Sequence, residues 1–398
     1  MLRNLQRASR RYRYTGSNSN NYRGRYHATN LGVRQEQQHL LLTTQSRPAT
    51  SAAAYDAEEV LVAIKEETST LIPRNQQINV NQSELKRLQQ IRNVGILAHV
   101  DAGKTTVTER FLELAGIVRQ AGSVDHGNTV TDYLPAERER GITIQSAAIS
   151  FPWRKDINIH LIDTPGHVDF SVEVNRAVAV LDGGVLIVDA VAGVQAQTET
   201  VWRTMRSKKT QLEPLPCLVL VNKLDKVGCH FGNCIDSVRR KLPGSNPVAI
   251  QLPLFRSDGD GDSELSVSDG GDGEFVGVVD LVHMRSVLYS DADNTNGNRN
   301  GSVAYRAAPI LAKLNLNEAS CKLTAMALEA RANLVAALAD VDEEMEEFFL
   351  SEVDPSNEEL MMGLRRATLS RSVLPVLAGA ALRNKGMYCG LMRVHHVC

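Results

Sequence analysis

The chain has 398 residues, 43% of them apolar, and a formal net charge of −2, a length that allows two or three domains, or one domain with a large insertion and tails. No stretch reaches the roughly 18 uninterrupted apolar residues of a membrane span, so no membrane partner is expected. Six cysteines without a CxxC pair or a Cys/His metal spacing read as free thiols in a reducing compartment, which excludes a disulfide frame or a zinc site.

The first 50 residues hold nine arginines, no lysine and a single acid, Glu36, leaving 35 basic against 45 acidic residues in the remainder. That balance excludes a body that binds nucleic acid generally through a basic face. Residues 1–82 form an Arg-, Ser- and Asn-rich leader with the marks of an organellar transit peptide, mitochondrial rather than plastid by its arginine density. A disordered basic arm touching nucleic acid is the alternative reading. Folded structure is expected from Ser83, where SELKRLQQ reads as a short helix.

The apolar, β-branched run Ile91–Ala98 predicts a buried strand. ILAHVDAGKTT then runs from Ile96 to Thr106, and Thr106–Ala115 has the apolar spacing of a helix. A phosphate-cradling loop wants Gly, four residues, then Gly-Lys-Ser/Thr, in a strand–loop–helix context; here Ala98 stands for the first glycine. Backbone N–H groups from Ala98, His99, Val100, Asp101, Ala102 and Gly103 into Thr106 would face the phosphates, helped by the helix N-terminus. Lys104 would reach the β and γ phosphates, and the Thr105 hydroxyl would bind Mg²⁺.

Next comes the charged run Ala136–Arg140 before Gly141-Ile142-Thr143-Ile144. Such a run alone is a solvated face; beside the other motifs, Thr143 becomes the second Mg²⁺ hydroxyl, ordered only when γ-phosphate is present. INIHLID predicts a strand ending at Asp163, followed by Thr164-Pro165-Gly166-His167. An acid at that strand end can hold Mg²⁺ through water, and the Gly166 N–H can sense a γ-phosphate.

Further on, VLVNKLD (219–225) reads as a buried strand ending in Asn222-Lys223-Leu224-Asp225. A carboxylate at Asp225 accepts from guanine N1–H and the 2-amino group together, whereas adenine leaves it unpaired. Lys223 would lie along the base plane and Asn222 would brace the loops, so the nucleotide is GTP. VLPVLAGAAL (373–382) reads as a last core strand whose following backbone, at Ala380 and Ala381, would meet the guanine O6. The fold class is therefore α/β: a doubly wound, mostly parallel sheet with helices on both faces.

AHVDAGKTT, RERGITIQSAA, DTPGHVDF and NKLD, in that order and spacing, resemble the translational GTPases of the elongation factor G family. Ala98 is usual there. HGNTVTDYLPAERERGITIQSAAISFPW and NKLDKVGCHF are similar to the mitochondrial ribosome-recycling branch, with the mitochondrial translocating branch a near second. The resemblance covers about Arg92–Gly386. It implies a P-loop NTPase G domain with a small α/β insertion: a first part over 83–228, the insertion with acidic disordered loops over 229–354, the domain's end over 355–386, and a tail over 387–398 outside the family pattern.

The resemblance further implies GTP as substrate, GDP as product, Mg²⁺, and a catalytic pair. Lys104 would stabilise the transferring phosphoryl group, and His167 would orient the hydrolytic water when a ribosome engages, with acid–base work the other open role for this histidine. The implied partner is the mitochondrial ribosome in the matrix, with a ribosome recycling factor beside it if recycling is the work. Contact with rRNA would come mainly from C-terminal domains that this chain lacks. Asp101 would face the site, and the acidic helix DVDEEMEEFF would lie where the family meets ribosomal protein.

Departures from the pattern are Ala380, where Ser or Thr is common; the inserted RSDGDGDSELSVSDGGDGEF, expected to be a disordered acidic loop, since Ser263 and Asp269 spoil an EF-hand reading; and the ending MYCGLMRVHHVC. That ending is expected of a truncated or misjoined product, with core surface exposed where a covering helix would lie. A non-catalytic GTP-binding remnant is the competing reading from another class.

Overall fold

The computed structural model describes residues 82–124, 127–153, 157–207, 214–257, 264–267, 270, 273–289, 305–309, 318–388 and 390–391. The leader to residue 81, and with it the transit-peptide reading, lies outside them. Two compact units divide the chain, Met1–Leu85 and Lys86–Cys398; apart from the start of the first helix, the elements that follow belong to the second.

In chain order these are α1 (Gln82–Gln89), β1 (Ile91–Ala98), α2 (Lys104–Leu114), α3 (Pro135–Arg140), β2 (Ala147–Trp153), β3 (Ile157–Asp163), α4 (Ser171–Val178), β4 (Gly183–Asp189), α5 (Ala196–Met205), β5 (Cys217–Asn222), α6 (Phe231–Lys241), β6 (Pro247–Ala249), β7 (Gln251–Ser257), β8 (Glu264–Val267), β9 (Glu274–Asp280), β10 (Arg285–Tyr289), β11 (Tyr305–Pro309), α7 (Glu318–Ala339), α8 (Glu343–Leu350), α9 (Asn357–Leu369) and β12 (Leu374–Ala378).

Seven strands form one sheet in the order β2-β3-β1-β4-β5-β12-β6. Only β2 runs antiparallel to its neighbour; the other pairings are parallel. Every residue of β4, β5 and β12 is buried, which is why these strands read as unbroken apolar runs: a parallel sheet is covered on both faces. On one face pack Val107, Phe111 and Leu112 of α2 with Leu360 and Leu364 of α9. On the other pack Val174 of α4, Trp202 of α5 and Val238 of α6. The expected doubly wound α/β fold is the observed one. Register sets Ile96 against Asp163 and Asp189 against Asn222, so the carboxyl ends of β1, β3, β4 and β5 open on one edge of the sheet, where ligands of such folds bind.

The second sheet is antiparallel, in the order β11-β10-β9-β7-β8. The chain changes sheets at Ile250, the single buried residue between β6 and β7. Before that point α6 packs on the first sheet and β6 is its edge strand. The acidic loop is corrected: ELSV forms β8, paired with β7 from Leu254↔Val267 to Ser257↔Glu264, because alternating apolar residues outweigh the flanking Asp and Gly. The rest of that stretch lies mostly outside the described residues. Among the described residues past 386, Met387 and Leu391 are wholly buried in the cluster that holds Phe111.

Candidate functional site

Between β1 and α2 the backbone turns sharply through Asp101 (φ 62°) and Gly103 (φ 93°), both left-handed. A side chain at Gly103 would meet the Asn222 amide at 2.6 Å, so glycine is required there on two counts. No side chain caps α2 at Gly103, which leaves its first amides without acceptors and makes the helix start a place for an anion. The Lys104 ammonium donates to the His99 carbonyl at 2.7 Å and lies against Gly166, where a Cβ would collide with it. Burial lowers that ammonium to about 8, against the pull of Asp163, Asp101 and Asp132.

Asp163 is fully buried at the end of β3, and neither carboxylate oxygen has a hydrogen-bond partner. Burial pushes its carboxyl up to about 7, with Lys104 and the nearby Thr105 hydroxyl opposing and Asp132 adding to the rise; Thr105 eases the carboxylate from close by without the geometry of a formed hydrogen bond. An orphaned carboxylate of this kind is costly. Beside it the Thr105 and Thr143 hydroxyls, both buried, stand 3.1 Å apart. Two hydroxyls and one free carboxylate are a hard-oxygen donor set that fits Mg²⁺ with several waters retained. Among the described residues no cluster of three or more His, Cys, Asp or Glu offers a competing metal site.

At the other end of the same opening, the Asn222 side chain spans two loops. Its Nδ2 donates to the Ala102 carbonyl at 2.9 Å, and its Oδ1 accepts from the Ala381 amide at 2.9 Å. Lys223, left-handed at φ 68°, donates to the Asp101 carbonyl and, at 2.6 Å, to Asp189 Oδ2. Burial alone would raise the Asp189 carboxyl, but Lys223 and the amides of Val191 and Ala192 hold it below the usual range. Asp225 keeps 17% of its side chain exposed and has Arg383 Nε at 3.9 Å. Lys104, Thr105, Asn222, Lys223 and Asp225 line a cavity of about 750 Å³ that runs from Gly166, His167 and Thr143 to Asp225 and Leu382.

Residues 89–397 match the family described as the elongation factor Tu GTP binding domain. The chain belongs to that family. It is 43% identical over 305 residues to the mitochondrial ribosome-releasing factor 2 of Danio rerio (75% of this chain, 36% of that one). It is 42% identical over 301 residues to the protein of that name in Schizosaccharomyces pombe (75% and 34%), and 39% identical over 300 residues to the elongation factor G of Petrotoga mobilis (75% and 38%). A crystal structure from Thermus thermophilus superposes with a TM-score of 0.62 at 25% identity, over 77% of this chain and 40% of that one. The chain spans about a third of the length of the curated relatives it matches.

Within this GTP binding domain, the elements bring together every predicted motif, with two adjustments. The amides of Ala380 and Ala381 are already engaged, by the Lys385 carbonyl at 2.8 Å and by Asn222. They are not idle donors for a base, and the next residue, Leu382, is the one that lines the cavity. His167 is half-exposed at the rim, its Nδ1 turned to Asp169 at 3.3 Å.

Three buried acids were missing from the sequence reading. Glu137, inside the run expected to be a solvated face, is wholly buried and accepts from the amides of Ile144 and Gln145 at 2.9 and 3.0 Å. Asp132 accepts from Thr143 Oγ1 at 3.0 Å and Thr129 Oγ1 at 2.8 Å. Glu109 on α2 accepts from the amides of Gly122, Val130 and Thr131. The only sequence signal for Glu137 was Glu three residues after Leu134 at a helix start, a capping position.

Proposed function

We propose that this chain binds GTP with Mg²⁺ and hydrolyses it, as the switch module of a factor that recycles mitochondrial ribosomes in the matrix. The observation that carries the reading is Asp163, buried with both oxygens unpartnered beside Lys104, Thr105 and Thr143. Lys104 and the free amides of the helix start suit a polyanion, and Asp163 with the two hydroxyls suits a divalent cation. Mg²⁺ would be held by Thr105, Thr143 and, through water, Asp163, and would supply positive charge to the phosphates.

The protein's own groups supply the rest. Lys104 and the amides from Ala98 to Thr106 hold the phosphates, and the Gly166 N–H meets the γ-phosphate. Asp225 accepts from guanine N1–H and the 2-amino group, Lys223 lies along the base, and Asn222 braces the loops on both sides. With Nδ1 of His167 turned to Asp169, Nε2 is the nitrogen that positions the attacking water once a ribosome draws the ring inward. Activation of that order in small GTPases is worth about 10⁵ in rate.

Recycling is supported by the relatives named ribosome-releasing factor 2, at 42% and 43% identity against 39% for the elongation factor G. Translocation is the second reading, supported by the 39% identity to the Petrotoga protein. A ribosome recycling factor would be a further partner in the first case only, and rRNA contacts would fall to domains beyond this one. GTP turnover measured with and without mitochondrial ribosomes tests the proposal. Stimulation is expected, stronger on post-termination than on pre-translocation complexes; a folded chain whose turnover ribosomes leave unchanged contradicts it.

A further inference from the structure

The loop that follows β12 is closed across its own stem. The Ala380 amide donates to the Lys385 carbonyl at 2.8 Å, and the Lys385 amide returns to the Ala380 carbonyl at 3.1 Å. Asn384 and Gly386 are left-handed, at φ 54° and 87°, and a Cβ on Gly386 would meet the Ala378 carbonyl at 2.5 Å, so the stem needs glycine. A loop bonded in this way behaves as one piece. Part of it serves the base end of the cavity: Ala381 donates to Asn222 at 2.9 Å, Gly379 accepts from the Leu224 amide at 3.3 Å, and Leu382 lines the opening.

The stem itself is held by the second sheet. Lys385 is buried, and its ammonium donates to the Phe275 carbonyl of β9 at 3.0 Å and to Glu274 Oε1 at 3.3 Å. From β7, the buried Gln251 accepts the Ala378 amide on its Oε1 at 3.3 Å. The Gln251 Nε2 finds no partner among the described residues, so the Ala378 amide sets which way the carboxamide faces. Burying an ammonium or a carboxamide is costly, and a methionine would fill either place. Packing alone therefore does not explain a lysine and a glutamine there. Their polar atoms add direction, since each bond fixes one end of the loop stem against one strand of the antiparallel sheet. Neither residue lines the cavity.

We infer that Lys385 and Gln251 are positioning residues through which the second sheet holds the loop after β12, and with it the base end of the cavity, in its binding form. The inference rests on the guanine-nucleotide reading of the cavity. A loop that keeps its binding form for only a fraction of the time weakens apparent affinity by that fraction. GDP and GTP carry the same base, so both lose alike. The phosphate end, which stands on β1, β3 and α2, is spared.

The test is equilibrium binding of GDP and of a non-hydrolysable GTP analogue, with Mg²⁺, to the full chain and to Lys385→Met, Lys385→Arg and Gln251→Met. Urea melts establish that each variant is folded under the binding conditions. Lys385→Met takes the ammonium from the Phe275 carbonyl and is expected to weaken both nucleotides by about tenfold, with their ratio kept. Gln251→Met is expected to act in the same direction by about fivefold, and Lys385→Arg, which can still donate, to stay within about threefold of the wild type. Inorganic tripolyphosphate with Mg²⁺, titrated as a competitor of GDP, has no base, and its affinity is expected to be the same in all four proteins. Hydrogen exchange on the wild type serves if the methionine variants do not fold: the Ala378 and Ala381 amides are expected to slow together when GDP is added. Unchanged GDP affinity in a folded Lys385→Met, a loss for tripolyphosphate equal to that for GDP, or an Ala381 amide that slows without Ala378 overturns the inference. A wild type that binds neither nucleotide overturns the proposed function, and this inference with it.

Discussion

The two ends of the cavity are built differently. The phosphate end is made of buried charge: Lys104 and Asp163 sit out of water with their ionisation pushed toward neutrality. The base end is made of backbone and side-chain bracing through Asn222 and Lys223, with one partly exposed carboxylate, Asp225. Buried charge is costly until its partner arrives, so the first end registers whether a ligand and its metal are present. Under the proposed function, a braced end with a single reader is expected to keep its shape whether occupied or not and to register which base has entered.

That contrast can be broken at each end. The largest effect is expected from Asp225→Asn, which turns the reader's acceptor into a donor. Preference is expected to swing from GTP to XTP by about a thousandfold in competition binding, since xanthine replaces the 2-amino donor by a carbonyl. Next, Lys104→Met removes the cation of the phosphate end and should weaken GTP binding by roughly a hundredfold, read by titration.

The third expectation concerns pH in the ligand-free chain. Asp163 titrates near 3.8 when unfolded and about 7 when folded, so between those values the folded state holds the extra proton and stability falls as pH rises. Lys104 goes the other way, from 10.5 down to about 8, so stability recovers between pH 8 and 10.5. The pair thus contributes a minimum between pH 7 and 8. Urea melts across that range should show it, Asp163→Asn should remove its acid limb, and Mg²⁺ with GTP should fill it in.

The smallest effect is expected outside the cavity. Asp342 caps α8 by accepting from the Met345 amide at 3.1 Å and takes a two-pronged contact from Arg366 at 2.7 and 2.8 Å. The Arg366 hydrogen bonds hold its carboxyl below the usual range. Asp342→Ala should cost about 1 kcal/mol in thermal or urea melts and leave both ends of the cavity as they are. A change in nucleotide binding in that variant would show that the contrast between the ends is not local.

The first sheet and the motif residues were legible because each left a local signature. All-apolar strands betray burial on two faces, and Gly103 is demanded by a positive φ and a close neighbour. The buried acids of α2 and of the segment after it were not legible, because Glu109, Asp132 and Glu137 bond to groups up to 22 residues away, and no spacing rule announces such a partner. Strand β8 was hidden by its acidic neighbours. The engaged amides of Ala380 and Ala381 depend on distant partners such as Asn222, 159 residues from Ala381.

The central claim is that buried Lys104 and Asp163 await a Mg²⁺-bound guanine nucleotide read by Asp225. Calorimetric titration of the full chain with GTP and with ATP, in the presence of Mg²⁺, tests it most directly. The account predicts saturable GTP binding that weakens when Mg²⁺ is chelated, with ATP weaker by at least about a thousandfold. Equal affinity for the two nucleotides, or no binding of either to a folded chain, would contradict it.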